Sequence, residues 1–234
     1  MAVSTSVHDR VLDAWGMGIV SGAYPPGSRI AIGDEVTAAN ASRTVAREAV
    51  RVLESMGLVT VKRRAGAVVN PPDQWHVFDP QLIAWRLRGP ETAAQILQLS
   101  ELRNAVEPTA ARLAAANATP DQWAALTEAA IGLVAHSRAA DAADYLAADI
   151  RFHRTLLQAS GNPMFAALGG MVEAILRGRT EQALMPSTAN PVALRLHGDI
   201  AAAVAGGDAA AAEAASRALI EEADQAVQEA ARQS

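Results

Sequence analysis

The chain has 234 residues, half of them hydrophobic but only 4% aromatic, and Ala dominates its second half. This length favours two compact units, and the composition favours closely packed helices over a β-sandwich. The absence of Cys excludes disulfides, thiolate zinc sites and a Cys nucleophile. Since no signal-peptide pattern and no apolar run of membrane-spanning length occurs, we expect a soluble cytoplasmic protein with no membrane partner.

The net charge of −5 argues against nonspecific nucleic-acid binding by the whole molecule, but the charge is unevenly spread. Residues 1–75 carry 8 Lys and Arg against 7 Asp and Glu, whereas the remainder carries 12 against 18. Basic residues concentrate between positions 41 and 64, which predicts a local patch that attracts phosphates.

The N-terminal third reads as helices followed by a hairpin. A helical stripe runs from Val7 to Val20 and ends at Gly22, and Asp34 is the cap of a short second helix through residue 40. Two β-rich runs, residues 58–61 and 67–69, flank a basic turn containing Gly66. This order, with basic residues at the hairpin tip, predicts a winged helix-turn-helix.

A third helix begins after Ser42, which is a good N-cap. Its apolar face contains Val45, Ala49, Val52 and Leu53, and its other face repeats Arg43, Arg47 and Arg51 every four residues. A helix that buries one side and offers Ser, Thr and Arg near its N-terminus suits the DNA major groove. The alternative is an ordinary surface helix with a solvated arginine face.

Pro71 and Pro72 end the hairpin, so we predict a DNA-binding domain over residues 1–72. Residues 73–90 read as a docked linker, with Trp75, Val77 and Phe78 as apolar anchors, and the first helix after it. Residues 91–234 are predicted as an all-helical ligand-binding and dimerisation domain, an antiparallel bundle. The expected helices cover residues 80–88, 91–116, 120–136, 139–160, 163–184, 189–206 and 208–231.

Asp149 and His153 lie one helical turn apart, so the carboxylate and the imidazole can bind the same metal ion. His197, at the start of a later amphipathic helix, offers a third ligand, and this donor set suits zinc, nickel or manganese. The alternative is a hydrogen bond between Asp149 and His153 within the helix. The other histidines, His8, His76 and His136, are interpreted as surface or linker residues.

Arg103 flanks the apolar side of its helix, where a guanidinium could clamp a carboxylate or phosphate. The alternative is an exposed ion pair with Glu107 one turn later. Phosphate loops, nucleophile elbows and zincin motifs do not occur, so we predict that the protein is not an enzyme.

The chain resembles GntR-type transcriptional regulators of the FadR subfamily, with an FCD-type effector domain, over nearly its whole length. The DNA-binding signature appears in residues 21–27 (SGAYPPG), 42–49 (SRTVAREA), 57–59 (GLV) and 64–69 (RAGAVV). Residues 101–108 (ELRNAVEP), 149–153 (DIRFH) and 161–163 (GNP) resemble effector-domain markers. Residues 75–85 (WHVFDPQLIAW) further resemble the branch that contains galactonate-operon repressors.

The resemblance implies a homodimer that binds a palindromic double-stranded DNA operator. The implied DNA-binding residues lie on the third helix and in the wing, namely Ser42, Arg43, Thr44, Arg47, Arg64 and Gly66. The family's metal is held by one Asp and three His residues beside an Arg, and a small carboxylate effector completes its coordination. Asp149, His153 and His197 match three of these ligands and Arg103 matches the Arg, so the effector-binding residues are Arg103, His153 and His197.

Two positions depart from the family pattern. Leu219 stands where the fourth ligand is expected, so the site either holds a divalent metal with three ligands or is metal-free, with His153 and His197 bonding the effector directly. This loss, shared with the galactonate branch, points to sugar acids. Residues 33–40 lack the family's usual Arg and leucine-alanine pair.

The sequence therefore predicts a mainly α protein, an N-terminal winged helix-turn-helix followed by an all-α effector domain, that acts as an effector-responsive repressor. Two other functions stay open: a metal-dependent enzyme domain fused to a DNA-binding module, and a metal-free sensor of acyl ligands.

Overall fold

The computed structural model describes residues 6–30, 41–138, 142–181 and 189–233, with side chains of the final helix described to residue 226. The chain divides into two compact units, Met1–Thr92 and Ala93–Ser234. The second helix expected within residues 34–40 lies outside the described residues.

The first unit contains the elements of a winged helix. They are α1 (Val7–Val20), α2 (Arg43–Ser55), β1 (Val59–Lys62), β2 (Gly66–Val69), a 3₁₀ turn (Pro72–Gln74) and α3 (Pro80–Arg88). α1 begins with a capping box in which the Ser6 hydroxyl accepts from the Asp9 amide while the Asp9 carboxylate accepts from the Ser6 amide. The fold class predicted from the sequence is confirmed.

The core of this unit forms where α1, α2 and the hairpin meet, and α3 closes it. Trp15, Leu53 and Trp85 are fully buried there. Gly16 allows this packing, because a Cβ at that position would lie 2.4 Å from the Trp85 ring. Trp85 is further fixed by its indole N–H, which donates to Asp13 at 2.7 Å.

The wing is a two-stranded antiparallel hairpin in which Val59 pairs with Val69 and Lys62 with Gly66. The segment before the second expected helix adds to it, because Arg29 bridges to Val68. Gly66 has φ +72°, a left-handed conformation that side chains other than glycine rarely adopt, at the end of the turn.

The connector after the wing is anchored by fewer residues than predicted. Trp75 packs against the core, and its indole N–H donates to the Asn70 carbonyl at 3.1 Å. The expected anchoring by Val77 and Phe78 is wrong, since they are 44% and 58% exposed. Of the three expected anchors, only Trp75 packs against the apolar core.

The second unit is a helical bundle. Its helices are α4 (Thr92–Asn117), α5 (Pro120–Ala135), α6 (Ala142–Ala159), α7 (Pro163–Ala167), α8 (Gly169–Glu181), α9 (Pro191–Gly206) and α10 (Ala209–Gln233). The single helix expected over residues 163–184 is instead two, α7 and α8, separated at Leu168. The Gly169–Gly170 pair explains the break, because glycine is a poor helix former.

The core of this bundle joins α4, α5, α6, α9 and α10. Leu126, Phe152 and Ile200 are fully buried among many alanines, which let the helices approach closely. Within the described residues, no helix is both long and apolar enough to cross a membrane.

Candidate functional site

The candidate DNA-reading surface is the outer face of α2. Ser42 caps the helix by accepting from the Val45 amide at 3.2 Å, and Arg43, Thr44 and Arg47 are exposed in its first turns. Ala46, Ala49, Val50 and Leu53 form the buried face. Val45 and Val52, expected on that face, lie at its edge and are half-buried.

The three arginines of α2 are not equivalent. Arg51 donates to Glu48 at 2.8 Å, so its charge is already partly balanced within the helix. Among the described residues, Arg43 and Arg47 have no ion-pair partner. The wing adds exposed Arg64 and Gly66 at its turn, together with Lys62 and Arg63, which are exposed as well.

The second candidate site is a cluster of buried ligand atoms in the helical bundle. Asp149 and His153 come from α6 and His197 from α9, and at most 6% of each residue is exposed. One oxygen of Asp149 lies 3.4 Å from Nε2 of His153 and 3.3 Å from Nε2 of His197. One ligand atom from each residue lies within 4.8 Å of the others.

The orientation of His197 suits metal binding. Its Nδ1 lies 2.7 Å from the Ala193 carbonyl, which can only accept, so Nδ1 carries the proton. Nε2 then presents its lone pair toward Asp149, buried and without a hydrogen-bond partner among the described residues. A buried polar atom without a partner is costly, and a metal ion would satisfy it.

His153 has a carboxylate on each side of its ring. Its Nδ1 lies 2.8 Å from Glu107, within ion-pair distance although the N–H direction is poorly aligned for a hydrogen bond. Burial lowers the pKa of His153, but the negative charge of Glu107 and the adjacent Asp149 carboxylate outweigh it and raise the pKa to about 9. The imidazole is thus stabilised in its protonated form when no metal is present, and metal binding would displace that proton.

The pKa of Asp149 falls well below its usual range. Burial alone would raise this pKa, but the adjacent imidazoles of His153 and His197 lower it. The carboxylate is therefore ionised and acts as an acceptor or ligand. Two ligand atoms on one tetrahedral ion at ~2.1 Å lie about 3.4 Å apart, so the separations from Asp149 fit one metal.

Arg103 points into the bundle rather than to solvent. Its Nε donates to Glu107 at 2.6 Å, so the ion pair expected as the alternative is present, but both side chains are nearly fully buried and the pair is not exposed. The same guanidinium lies 3.4 Å from Nε2 of His153. Burial raises the pKa of Glu107, but the charges of Arg103 and His153 outweigh it and lower the pKa to about 2.

Arg103, Asp149, His153 and His197 line one cavity of about 110 Å³. Leu219, the residue at the expected fourth-ligand position, also lines it and is 4% exposed. Several further lining residues were not predicted from the sequence: His136, Tyr145, Arg179, Asn190 and Glu222. His136 was expected at the surface, but it ends α5 beside the cavity. The spacing of these residues within their own helices does not indicate a site, because the residues that complete the cavity come from other helices.

The comparisons with known proteins agree with this division. Residues 8–69 match the bacterial regulatory proteins of the gntR family, and residues 98–222 match the FCD domain. The galactonate operon transcriptional repressor of Escherichia coli is 35% identical over 170 residues, 72% of this chain and 73% of that protein.

Two further proteins are similar over different spans. The HTH-type transcriptional repressor NanR of Cronobacter sakazakii is 30% identical over 129 residues, 55% of this chain and 48% of NanR. A solved structure titled as Lar, which controls expression of the Listeria monocytogenes agr system, has a TM-score of 0.59 at 17% identity and covers 96% of this chain and 97% of its own. That likeness concerns the fold alone.

Proposed function

This chain belongs to the gntR family of bacterial regulatory proteins and carries an FCD domain, and from that premise we propose that its helical unit senses a small carboxylate and thereby controls operator binding by its winged helix. The chain is a transcriptional regulator related to repressors, and not an enzyme. A single observation carries the sensor proposal: Arg103, Asp149, His153 and His197 line one buried cavity.

The cavity suits a small hydrophilic acid. Its volume of about 110 Å³ is below the ~300 Å³ at which pockets for drug-sized ligands begin, which favours a small acid over a long acyl chain. Polar groups on several sides, including Tyr145 and Asn190, could bond hydroxyl groups. The similarity to a galactonate operon repressor supports a sugar acid as the effector.

We place a divalent metal, zinc, nickel or manganese, on Asp149, His153 and His197. When bound, the ion would supply a positive centre for a carboxylate or hydroxyl oxygen of the effector. The unpartnered Nε2 of His197 supports this proposal over a metal-free sensor. Leu219 contributes no ligand atom, so three protein ligands would hold the ion.

The DNA-binding half of the proposal rests on α2 and the wing. The helix that Ser42 caps would present Arg43, Thr44 and Arg47 to base edges or adjoining phosphates. The wing would place Arg64 and Gly66 at the minor groove. We propose a homodimer on a palindromic operator in the cytoplasm, since paired reading helices match two half-sites. Light scattering of the purified protein tests the dimer.

A thermal-shift screen tests the sensor. Aldonates and hydroxy acids, each with and without zinc, nickel or manganese, should include a compound that raises the melting temperature only when metal is present. His153→Ala should abolish this shift because it removes a ligand. Arg103→Lys should weaken it because a lysine keeps the cation beside Glu107 but loses the planar fork.

Arg112→Lys is the matched control, because Arg112 lies on the same helix, half-exposed beside Glu213. It should leave the shift unchanged. If no acid stabilises the wild type under any metal condition, the sensor proposal is wrong.

A further inference from the structure

Arg179 of α8 is a buried cation whose position suggests a role in the cavity. The residue is only 5% exposed and lines the cavity together with Arg103 and Asp149. One Nη2 hydrogen bond, 3.0 Å to the Ala223 carbonyl, holds its guanidinium. Its Nε is buried with no hydrogen-bond partner among the described residues.

The guanidinium of Arg179 also lacks an ion pair at contact distance. Across the described ranges, no carboxylate oxygen lies within 4.0 Å of it, whereas Arg103 is balanced by Glu107 at 2.6 Å. Burial, with a further contribution from the charge of Arg103, lowers the pKa of Arg179 to about 10. A guanidinium stays protonated at neutral pH, so this pocket holds a cation that it disfavours.

Nearby carboxylates are occupied by other partners. Glu222 accepts from the Asn190 amide at 2.6 Å, and Asp224 accepts from Ser100 at 2.5 Å and Asn104 at 3.2 Å. Neither acid lies within 4.0 Å of Arg179, although both, together with Asp149, favour its charged form from farther away. An anion that enters the cavity would therefore be the partner that Arg179 lacks.

We propose that Arg179 binds the carboxylate of the effector and is the residue that distinguishes an acid from a neutral polyol. This inference rests on the sensor function proposed above. Arg103 keeps a hydrogen-bonding role through its remaining N–H groups, but its charge is already offset by Glu107. We therefore expect loss of Arg179 to reduce selectivity for acids over neutral polyols. Changes at Arg103 should affect effector binding through its contacts with His153 and Glu107.

Isothermal titration of the zinc-loaded full chain tests this. The ligands are galactonate, gluconate, glycerate and lactate, with galactitol as the neutral analogue of galactonate. Arg179→Met should weaken binding of the acid by about 10- to 100-fold, as expected for loss of a charge-assisted hydrogen-bonded pair. It should leave any binding of galactitol unchanged, and Arg179→Lys should fall between Met and wild type.

Arg177→Met is the matched control. Arg177 is on the same helix and is exposed, paired with Glu173 at 2.9 Å, so binding should stay within twofold of wild type. A second readout separates binding from a structural role. Because Arg179→Met removes an unpaired buried charge, it should raise the melting temperature of the ligand-free protein by ~2–4 °C, whereas a merely structural arginine would lower it.

The results distinguish a failure of the Arg179 inference from a failure of the sensor proposal. If wild type binds an acid and Arg179→Met binds it equally well, or if Arg179→Met and Arg179→Lys both destabilise the ligand-free protein, this inference is wrong and the sensor proposal stands. If wild type binds none of the acids, the sensor proposal and this inference both fail.

Discussion

At the residue scale, both candidate sites depend on which arginines already have a carboxylate partner. Arg51 is paired with Glu48 and Arg103 with Glu107, whereas Arg47 and Arg179 have no carboxylate partner among the described residues. A charge without an internal partner gains most from an external one, because the gain is not reduced by breaking an existing ion pair. The presence or absence of a carboxylate partner therefore distinguishes Arg47 from Arg51 within α2, and Arg179 from Arg103 within the cavity.

Arg47→Ala should weaken binding to operator DNA by about 1–3 kcal/mol if the guanidinium pairs with a guanine edge. Arg51→Ala is the control and should change affinity little, since Arg51 is held by Glu48 at 2.8 Å. Gel-shift titration against DNA selected by the protein from a random pool gives both values.

Arg64→Ala should weaken all sequences alike and reduce the salt dependence, as a phosphate contact does. Unchanged affinity in Arg47→Ala would contradict the assignment of α2 as the reading helix.

Asp13 makes the stability of the first unit depend on pH. Burial raises its pKa, but hydrogen bonds from Arg88 and Trp85 outweigh this and lower the pKa below its ordinary value. A lowered folded-state pKa adds stability that is complete above the unfolded value of ~4 and is lost as pH falls toward the folded value. The ionised carboxylate therefore stabilises the fold at neutral pH and not in strong acid.

Asp13→Asn should cost about 1 kcal/mol at pH 7, a small value because the ion pair is part-exposed and screened. The difference from wild type should shrink toward pH 3. Urea unfolding followed by tryptophan fluorescence is suitable, since Trp15, Trp75 and Trp85 are in this unit. Asp73→Asn, at an exposed position, is the control. A difference that grows in acid would contradict the role assigned to Asp13.

At the element scale, α1 and α3 pack closely at Gly16, which has no side chain to separate them. A Cβ on Gly16 would come within 2.4–2.5 Å of the Trp85 ring, which is fully buried and bonded to Asp13. The ring therefore has little freedom to move. The close approach determines how α3 completes the core beneath the reading helix.

Gly16→Ala should destabilise the first unit by about 1–3 kcal/mol, because overpacking exceeds the gain in helix propensity. Gly198→Ala in α9 is the matched change, since nothing lies within 4 Å of its added Cβ. That variant should be more stable by roughly 0.5–1 kcal/mol. Thermal unfolding by circular dichroism measures both, and a stabilised Gly16→Ala would contradict the packing argument.

At the scale of the whole molecule, effector control requires coupling between the acid and the operator. If the acid lowers operator affinity by a given factor, operator DNA must lower acid affinity by the same factor, typically about 5- to 150-fold. Isothermal titration of the acid with and without saturating DNA measures this factor.

Arg47→Ala, which should bind the operator more weakly, is the control and should show a smaller difference in acid affinity between the two titrations at the same DNA concentration. An acid affinity that is identical with and without DNA in the wild type would contradict effector control.

The sequence was sufficient for features that depend on local chemistry. The Ser42 cap, the Gly66 turn and the one-turn spacing of Asp149 and His153 follow from propensities and helical periodicity, which act over a few residues. The winged helix and the helical bundle were predicted from these patterns and the family from a resemblance of sequence motifs, and all three are confirmed. The break at Leu168 was missed because two glycines in an apolar run do not specify whether a helix bends or ends.

Contacts between helices required the folded chain. His197 reaches Asp149 from another helix, Glu107 lies between Arg103 and His153, and Arg179 enters the same cavity without a carboxylate partner among the described residues. Periodicity places each side chain on a face of its own helix but says nothing about which faces meet. The charge balance within a cavity depends on which helix faces pack together. Burial strengthens electrostatic interactions and makes each unpaired charge costly.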